Sequence, residues 1–350
     1  MVTPEYFETR KQIRDYVHVL AGELGLRVVE RKSGIMHGAY TGRPLGLEGS
    51  VDGMLVGGTV GTSWGPTVLV AFEVALTPPL WVDLAVRGRA LPLNDADDFL
   101  AEFEIDTTDR RFADGLFDAA LKRTLLDANR AGFYPTITDS QVTLNAMALG
   151  SPRELRDAFR AVIRIAKMLR DRRDKSARSK QHARVADAWL ISAGHFGAKL
   201  DEDTLELGLE LAYGRLTLRA AHPGLRSWRT ELALELDPPI AGELRVTTYS
   251  GHLERWFTPD IKFGEAEFDD RFLVRASSRE LAERVLSSEA RAQLLGLARF
   301  LPELLVTEGG INATRNGLLD SVIDTKAIVS TGLAAADELL RQRDTRSAYR

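Results

Sequence analysis

A serine between glycines is the first group in this sequence that could do covalent chemistry. Gly61-Thr62-Ser63-Trp64-Gly65 fits the G-x-S-x-G spacing of a nucleophile elbow. An elbow needs a strand before the serine and a helix after it, so that the hydroxyl sits in a tight turn backed by N–H groups. Pro66 and the run Thr67-Val68-Leu69-Val70 follow instead, and they predict a strand. The expectation is the tip of a long hairpin or a glycine-rich loop. Gly53, Gly57, Gly58 and Gly61 match neither dinucleotide-binding nor P-loop spacing, and no helix follows to offer its N-terminus to a phosphate.

Metal chemistry has equally little to build on. His18, His37, His182, His195, His222 and His252 are scattered, and cysteine is absent. A zinc site would have to be assembled from distant carboxylates. Asp95, Asp97 and Asp98, and then Asp201-Glu202-Asp203, are acidic clusters of the kind that can hold magnesium, but each falls where a polar turn or helix start is expected. Neither a metal nor a cofactor is expected.

Two features could bind an anion. The segment from Arg170 to Arg184 is strongly basic, and Arg172, Arg173 and Lys175 are its candidates. No aromatic lies in the run to stack on bases, so nucleic acid is disfavoured and a solvated helix face is the simpler reading. The pairs Tyr40/Arg43 and Tyr213/Arg215 read as one polar feature present twice; an arginine beside a strand turn can clamp a carboxylate.

Composition sets the frame for these groups. The 350 residues, 44% hydrophobic and 27% charged with a net charge of -4, read as two ordinary globular domains without a field that draws nucleic acid. The N-terminal residues lack the basic head and apolar stretch of a signal peptide, no window is long and apolar enough to span a bilayer, and cysteine is missing; a cytoplasmic, membrane-free protein is expected.

What positions the candidates is an internal repeat. Ala21-Gly22-Glu23-Leu24-Gly25 recurs as Ala193-Gly194-His195-Phe196-Gly197, and Leu76-Thr77-Pro78-Pro79-Leu80 as Leu236-Asp237-Pro238-Pro239-Ile240. Phe99, Phe103 and Ile105 recur as Phe268, Phe272 and Val274, and the match continues through a helix. The spacing between copies shifts along the chain, which places the excess of copy one at Gly49 to Gly65. Each copy opens with an amphipathic helix stopped by glycine, continues in period-two strands, and closes with a strand, a helix capped by Asp109 or Ser278, a hairpin and a last helix.

The fold class is therefore α+β, internally duplicated, each unit a mostly antiparallel sheet packed by helices. The expected division is a first unit at 1–172, a basic connecting segment at 173–184, a second unit at 185–342 and a flexible tail at 343–350. The glycine- and proline-free run from Arg153 to Ala193 predicts a helical connection.

Phe268-Asp269-Asp270-Arg271-Phe272-Leu273-Val274, with a helix and Ala290-Arg291-Ala292-Gln293-Leu294-Leu295 after it, resembles a segment of bacterial proteins of unknown function. There an F-D-x-x-F-x-V strand leads into a helix and a short hairpin. The resemblance covers a little under half of the second copy and implies no activity. Leu100 stands at the place of Asp269 in the first copy.

Duplication without a catalytic constellation points to a non-enzymatic binding or assembly protein with a protein partner, using the groove between its units. The alternatives are an enzyme with its site in the inter-unit cleft, and a carrier of an apolar small molecule.

Overall fold

The computed structural model describes residues 4–30, 44–62, 68–89, 97–149, 151–176, 178–222, 228–249 and 260–344. The chain divides into two compact units, Met1–Lys180 and Gln181–Arg350.

The first unit runs α1 (Pro4–Leu24), β1 (Arg27–Glu30), β2 (Leu45–Val51), β3 (Met54–Thr62), β4 (Val68–Ala75), β5 (Ala85–Gly88), α2 (Asp98–Glu102), β6 (Phe103–Asp106), α3 (Arg110–Leu116), α4 (Ala119–Arg130), β7 (Phe133–Thr138), β8 (Gln141–Leu149) and α5 (Pro152–Arg173). Its strands form one antiparallel sheet in the order β1-β2-β3-β4-β8-β7-β5-β6. Alternation decides which face is buried. Val70, Phe72 and Val74 of β4 point into the core, so Leu69, Ala71, Glu73 and Ala75 lie on the other face. Helix α5 covers the inner face at β4 and β8 with Leu155, Phe159, Val162, Ile165 and Leu169, and Phe159 meets Phe72 edge-on at 5.2 Å. Ser151 caps α5 and Pro152 opens it, the expected start chemistry.

The second unit runs α6 (Lys180–Phe196), β9 (Lys199–Asp201), β10 (Glu206–Leu211), β11 (Gly214–Ala221), β12 (Arg229–Leu236), β13 (Leu244–Thr248), α7 (Ala266–Arg271), β14 (Phe272–Ala276), α8 (Arg279–Val285), α9 (Ser288–Phe300), β15 (Glu303–Thr307), β16 (Gly310–Asn316) and α10 (Val322–Asp344). Its antiparallel sheet has the order β14-β13-β15-β16-β12-β11-β10-β9. Read from its β9 end, this is the order of the first sheet strand for strand. The duplication is therefore structural as well as sequential, and the α+β class holds.

Local details repeat with it. Gly25 and Gly197 end the opening helices at φ 67° and 68°, and Leu26 and Ala198 donate back to Ala21 and Ala193 at 2.8 and 2.9 Å. The Thr77-Pro78 and Asp237-Pro238 bonds are both cis. Leu80 N–H donates to Asp139 O and Ile240 N–H to Glu308 O, one join in each copy.

The copies differ where the chain lengths differ. The excess of copy one is not Gly49 to Gly65, because those of its residues that are described form β2 and β3, the counterparts of β10 and β11. It lies between β1 and β2, at 31–44 against 202–205. Copy two is longer between Tyr249 and Glu265. There Asp260 accepts from Val274 N–H (2.7 Å), Tyr249 OH (2.7 Å) and Lys262 (2.5 Å), and Ile261 N–H reaches Val274 O. Asp269 accepts from the N–H groups of Phe263 and Gly264, fixing the end of this added segment. Copy one is shorter between its fifth strand and second helix, and Leu100 stands at the place of Asp269 there. The F-D-x-x-F-x-V motif is not one strand: its first half is α7 and only Phe272 onward is β14.

The expected single helix after β6 and β14 is two, with Asp118 and Ser287 capping the second of each pair. The expected helical connection is also broken. Helix α5 stops at Arg173, Asp174–Ser176 turn, and α6 starts at Lys180. Arg173 donates to Pro78 O and Ser179 Oγ donates to Trp81 O at 2.6 Å, so the segment is pinned to the loop after β4 rather than continuing as helix. Among the described residues no helix is long and apolar enough to cross a membrane.

Candidate functional site

The residues singled out for chemistry are mostly held by their own fold. Gly61 and Thr62 close β3 and β4 begins at Val68, so the serine motif is flanked by paired antiparallel strands and has no helix after it. Ser63, Trp64 and Gly65 lie outside the described residues, as do Tyr40, Arg43, His37, His252 and Asp95. Asp97 accepts from Phe99 N–H at 2.8 Å and caps α2, while Asp201 accepts from the N–H groups of Asp203 and Thr204 in a turn. Among the described residues no cluster of side chains could hold a metal ion.

Arg172 donates to both oxygens of Asp118 (2.5 and 2.6 Å) and to Met168 O, and its hydrogen bonds, followed by that from Leu121 N–H, hold the Asp118 carboxyl below the usual range. That carboxylate also caps α4, so Arg172 fastens α4 to α5. Arg173 is committed to Pro78 O and Asp174. Lys175 is exposed. Buried polar side chains follow the same pattern. Ser179, Ser192, Thr230 and Thr325 donate to backbone carbonyls, and His182 Nε2 lies 2.6 Å from Glu202 O. His222 sits against Trp228 at 4.8 Å, and burial pushes its imidazole below the ordinary histidine range.

Tyr213 and Arg215 have different duties. Arg215 faces Glu210 (3.4 Å) and Glu206 (3.9 Å) across β10 and β11. Tyr213 stands in the β10–β11 turn and donates to Asp337 of α10 at 2.6 Å. Its counterpart by strand register is Gly53 in the β2–β3 turn, not Tyr40. Burial first, then Asp337, pushes the phenol above its ordinary range. The folded chain then holds this proton more tightly than the unfolded one, so the contribution is complete below about pH 10 and is lost as pH rises beyond it. Tyr213→Phe is expected to cost the second unit about 0.5–1 kcal/mol at pH 7, because the contact is partly solvated. Urea denaturation should show that difference shrinking at about pH 10.5; an equal loss at both pH values would contradict the assignment.

The two outer sheet faces, compared register by register, expose what sequence reading missed. In the second unit Glu210, Arg215, Arg219, Arg229, Glu231, Glu235 and Glu303 stand outward, with Arg219–Glu231 at 2.8 Å and Thr314–Glu303 at 2.7 Å. This is an ordinary solvated face. At the same places the first unit has Ser50, Leu55, Thr59, Leu69, Ala71, Ala75 and Tyr134, and Met147 stands where the second has Asn316. Leu55 and Met147 are each 66% exposed and Tyr134 48%. Of the acids there, Glu48 pairs with Arg27 and Glu73 folds over Gly57. The first unit carries charges of its own at Glu48 and Glu73, where the second has Gly208 and Ala233, but it alone exposes large apolar groups at Leu55, Met147 and Tyr134, a pattern that marks binding surface.

At the turn end of this face Gly53, Met54, Leu55, Ala75, Leu76, Thr77 and Arg170 line a cleft of about 160 Å³. Arg170 Nη1 donates to Asp52 O at 2.9 Å, and Lys167 lies 3.7 Å from the Asp52 carboxylate. Ser151 and Ser321 cap the closing helices alike, each accepting from the N–H three residues on. That register puts Asp337 at the place of Lys167 and the buried Leu340 at the place of Arg170. Among the described residues of copy two the matching place is built differently: Tyr213 stands where Gly53 leaves space. In sequence, the signal was the loss of alternation at Met54-Leu55-Val56 and Val68-Leu69-Val70, where both faces are apolar.

No protein-family model and no curated protein matches the chain. Among solved structures it is similar to the crystal structure of the mycobacterial trehalose monomycolate transport factor A, TtfA, at 12% identity and a TM-score of 0.33. The match covers 48% of this chain and 96% of that one. At that level nothing about activity transfers.

Proposed function

We propose that this is a non-enzymatic binding or assembly protein whose docking surface is the outer face of the first sheet. One observation supports this above the others: at seven matched places the face carries neutral residues where its duplicated counterpart has charged ones, and it exposes Leu55, Met147 and Tyr134. A soluble sheet face with nothing to bind is normally kept polar, and the second unit provides that reference within the same chain. The partner is a protein that lays an apolar patch over Leu55, Leu69 and Met147, with Tyr134 as an aromatic anchor at the rim. The arginines of the α5–α6 junction serve the fold in this reading, since Arg172 and Arg173 are spent on α4 and on the loop after β4.

The test transplants the charged face. Leu55→Arg combined with Met147→Asn places the second unit's residues on the first sheet at exposed positions, where folding is little affected. A protein retained by the immobilised wild-type chain should be retained at least about tenfold less by this variant. Arg215→Leu in the second unit should leave retention unchanged. Equal retention by wild type and graft would overturn the proposal.

A further inference from the structure

We propose that the cleft beside Gly53 binds a carboxylate carried on a short apolar stem. The inference goes beyond the docking reading, because the cleft can take such a group whether or not the sheet face docks a protein.

Size limits the occupant. About 160 Å³ is close to the ~150 Å³ apolar cavity that accepts one benzene ring, and well below the ~300 Å³ at which drug-sized pockets begin. The cleft has room for one group of about six carbons. Met54, Leu55, Ala75 and Leu76 supply aliphatic walls, and Thr77 adds a hydroxyl.

Charge selects the head group. Arg170 is the cation among the lining residues, and its Nη1 is occupied by Asp52 O. No described residue hydrogen-bonds its Nε or Nη2, which leaves the side of the guanidinium that matches a carboxylate with two parallel bonds. The nearby Asp52 carboxylate is offset by Lys167. A dianionic phosphate would leave charge against the aliphatic walls, whereas a carboxylate monoanion matches one guanidinium and lets its stem meet them. The duplicate provides the contrast. Tyr213, Asp337 and Leu340 replace Gly53, Lys167 and Arg170, so the equivalent place has its space taken and a carboxylate where an anion would have to sit.

The full chain, methyl-labelled at Met and Leu, would be titrated with sodium hexanoate and with hexanol, following Met54 and Leu55 by NMR. Hexanoate should give saturable shifts, with hexanol at least about tenfold weaker. Arg170→Leu and Arg170→Gln should each weaken hexanoate at least about tenfold; the second variant keeps a donor for Asp52 O and guards against a folding defect in the first. Lys175→Ala, which removes an exposed cation that does not line the cleft, should stay within roughly twofold. Acetyl-Leu-Leu with a free C-terminus, set against its amide, identifies the source. Tighter binding than hexanoate points to a polypeptide end and weaker binding to a free acid, and both support the carboxylate site. Absence of saturable shifts, equal binding of hexanol, or hexanoate affinity unchanged in both Arg170 variants would overturn the proposal. Those outcomes would leave the docking reading standing, because the Arg170 variants keep Leu55 and Met147.

Discussion

Gly214→Ala is expected to destabilise the second unit by about 3 kcal/mol or more. Gly214 opens β11 at φ 145°, a conformation that a residue with a Cβ rarely adopts. A Cβ there would lie 1.8 Å from Glu235 O on β12. That oxygen belongs to the sheet backbone and cannot swing aside like the end of a side chain. Gly310 on β16 is the mirror case on the other side of β12, at φ 143° and 1.9 Å from Leu234 O. Met54 and Gln141 occupy the equivalent places in the first unit, so the glycine pair is a feature of the second copy alone. Gly194→Ala is the control. It lies exposed on α6 with nothing within 4 Å of its Cβ, and alanine there should be neutral or stabilise by up to ~1 kcal/mol. Urea denaturation of the two variants measures the contrast, and a Gly214→Ala transition coinciding with wild type would show that the β10–β11 turn is not built as described.

Asp139→Ala should cost the first unit about 3 kcal/mol or more. The Asp139 carboxylate is fully buried in the β7–β8 turn and accepts three backbone bonds, from Val82 (3.0 Å), Asp83 (2.7 Å) and Leu84 (3.0 Å). Removing it strands donors that water reaches poorly, and each such donor costs about 1–3 kcal/mol. The loop it grips has non-glycine residues in the left-handed region, Trp81 at φ 62° and Asp83 at φ 49°, which persist only because their surroundings hold them. Thr107, Thr108 and Ser179 tie the same loop through the carbonyls of Val82 and Trp81. Glu308 takes the place of Asp139 in the second copy and is exposed, so Glu308→Ala should change stability by less than about 0.5 kcal/mol. Hydrogen exchange gives a local readout: the Val82 and Leu84 amides should lose protection in Asp139→Ala and keep it in Glu308→Ala. Unchanged protection in both would refute the role.

The repeat was legible because its strongest traces are core positions. Phe99 and Phe268, Phe103 and Phe272, and Leu76 and Leu236 are buried in both units and cannot drift far without opening a cavity. Caps at Asp109 and Ser278 were legible for a similar local reason. Matching Tyr40/Arg43 with Tyr213/Arg215 failed because Tyr213 and Arg215 lie at a turn and on an outer sheet face, where no core packing constrains them; strand pairing, which sequence does not display, makes Gly53 the counterpart of Tyr213. The helix break after Arg173 was hidden because it is imposed from far along the chain, by Pro78 and Trp81, and not by glycine or proline at the break. The apolar face was hidden for a third reason: Leu55, Leu69 and Met147 look in sequence like core residues, and only the sheet shows which side they occupy. Arg170 differs from Arg172 and Arg173 by what it faces, not by its surroundings in sequence.

The claim that the first sheet's outer face is the working surface has a direct measurement. A photo-crosslinking amino acid placed at Leu55 or Met147, and separately at the counterparts Arg215 or Asn316, compares the two copies in one molecule under native conditions. The account predicts crosslinks to the same protein partner from positions 55 and 147 and none from 215 or 316. Crosslinking of equal strength from both copies, or from the second copy alone, would contradict it.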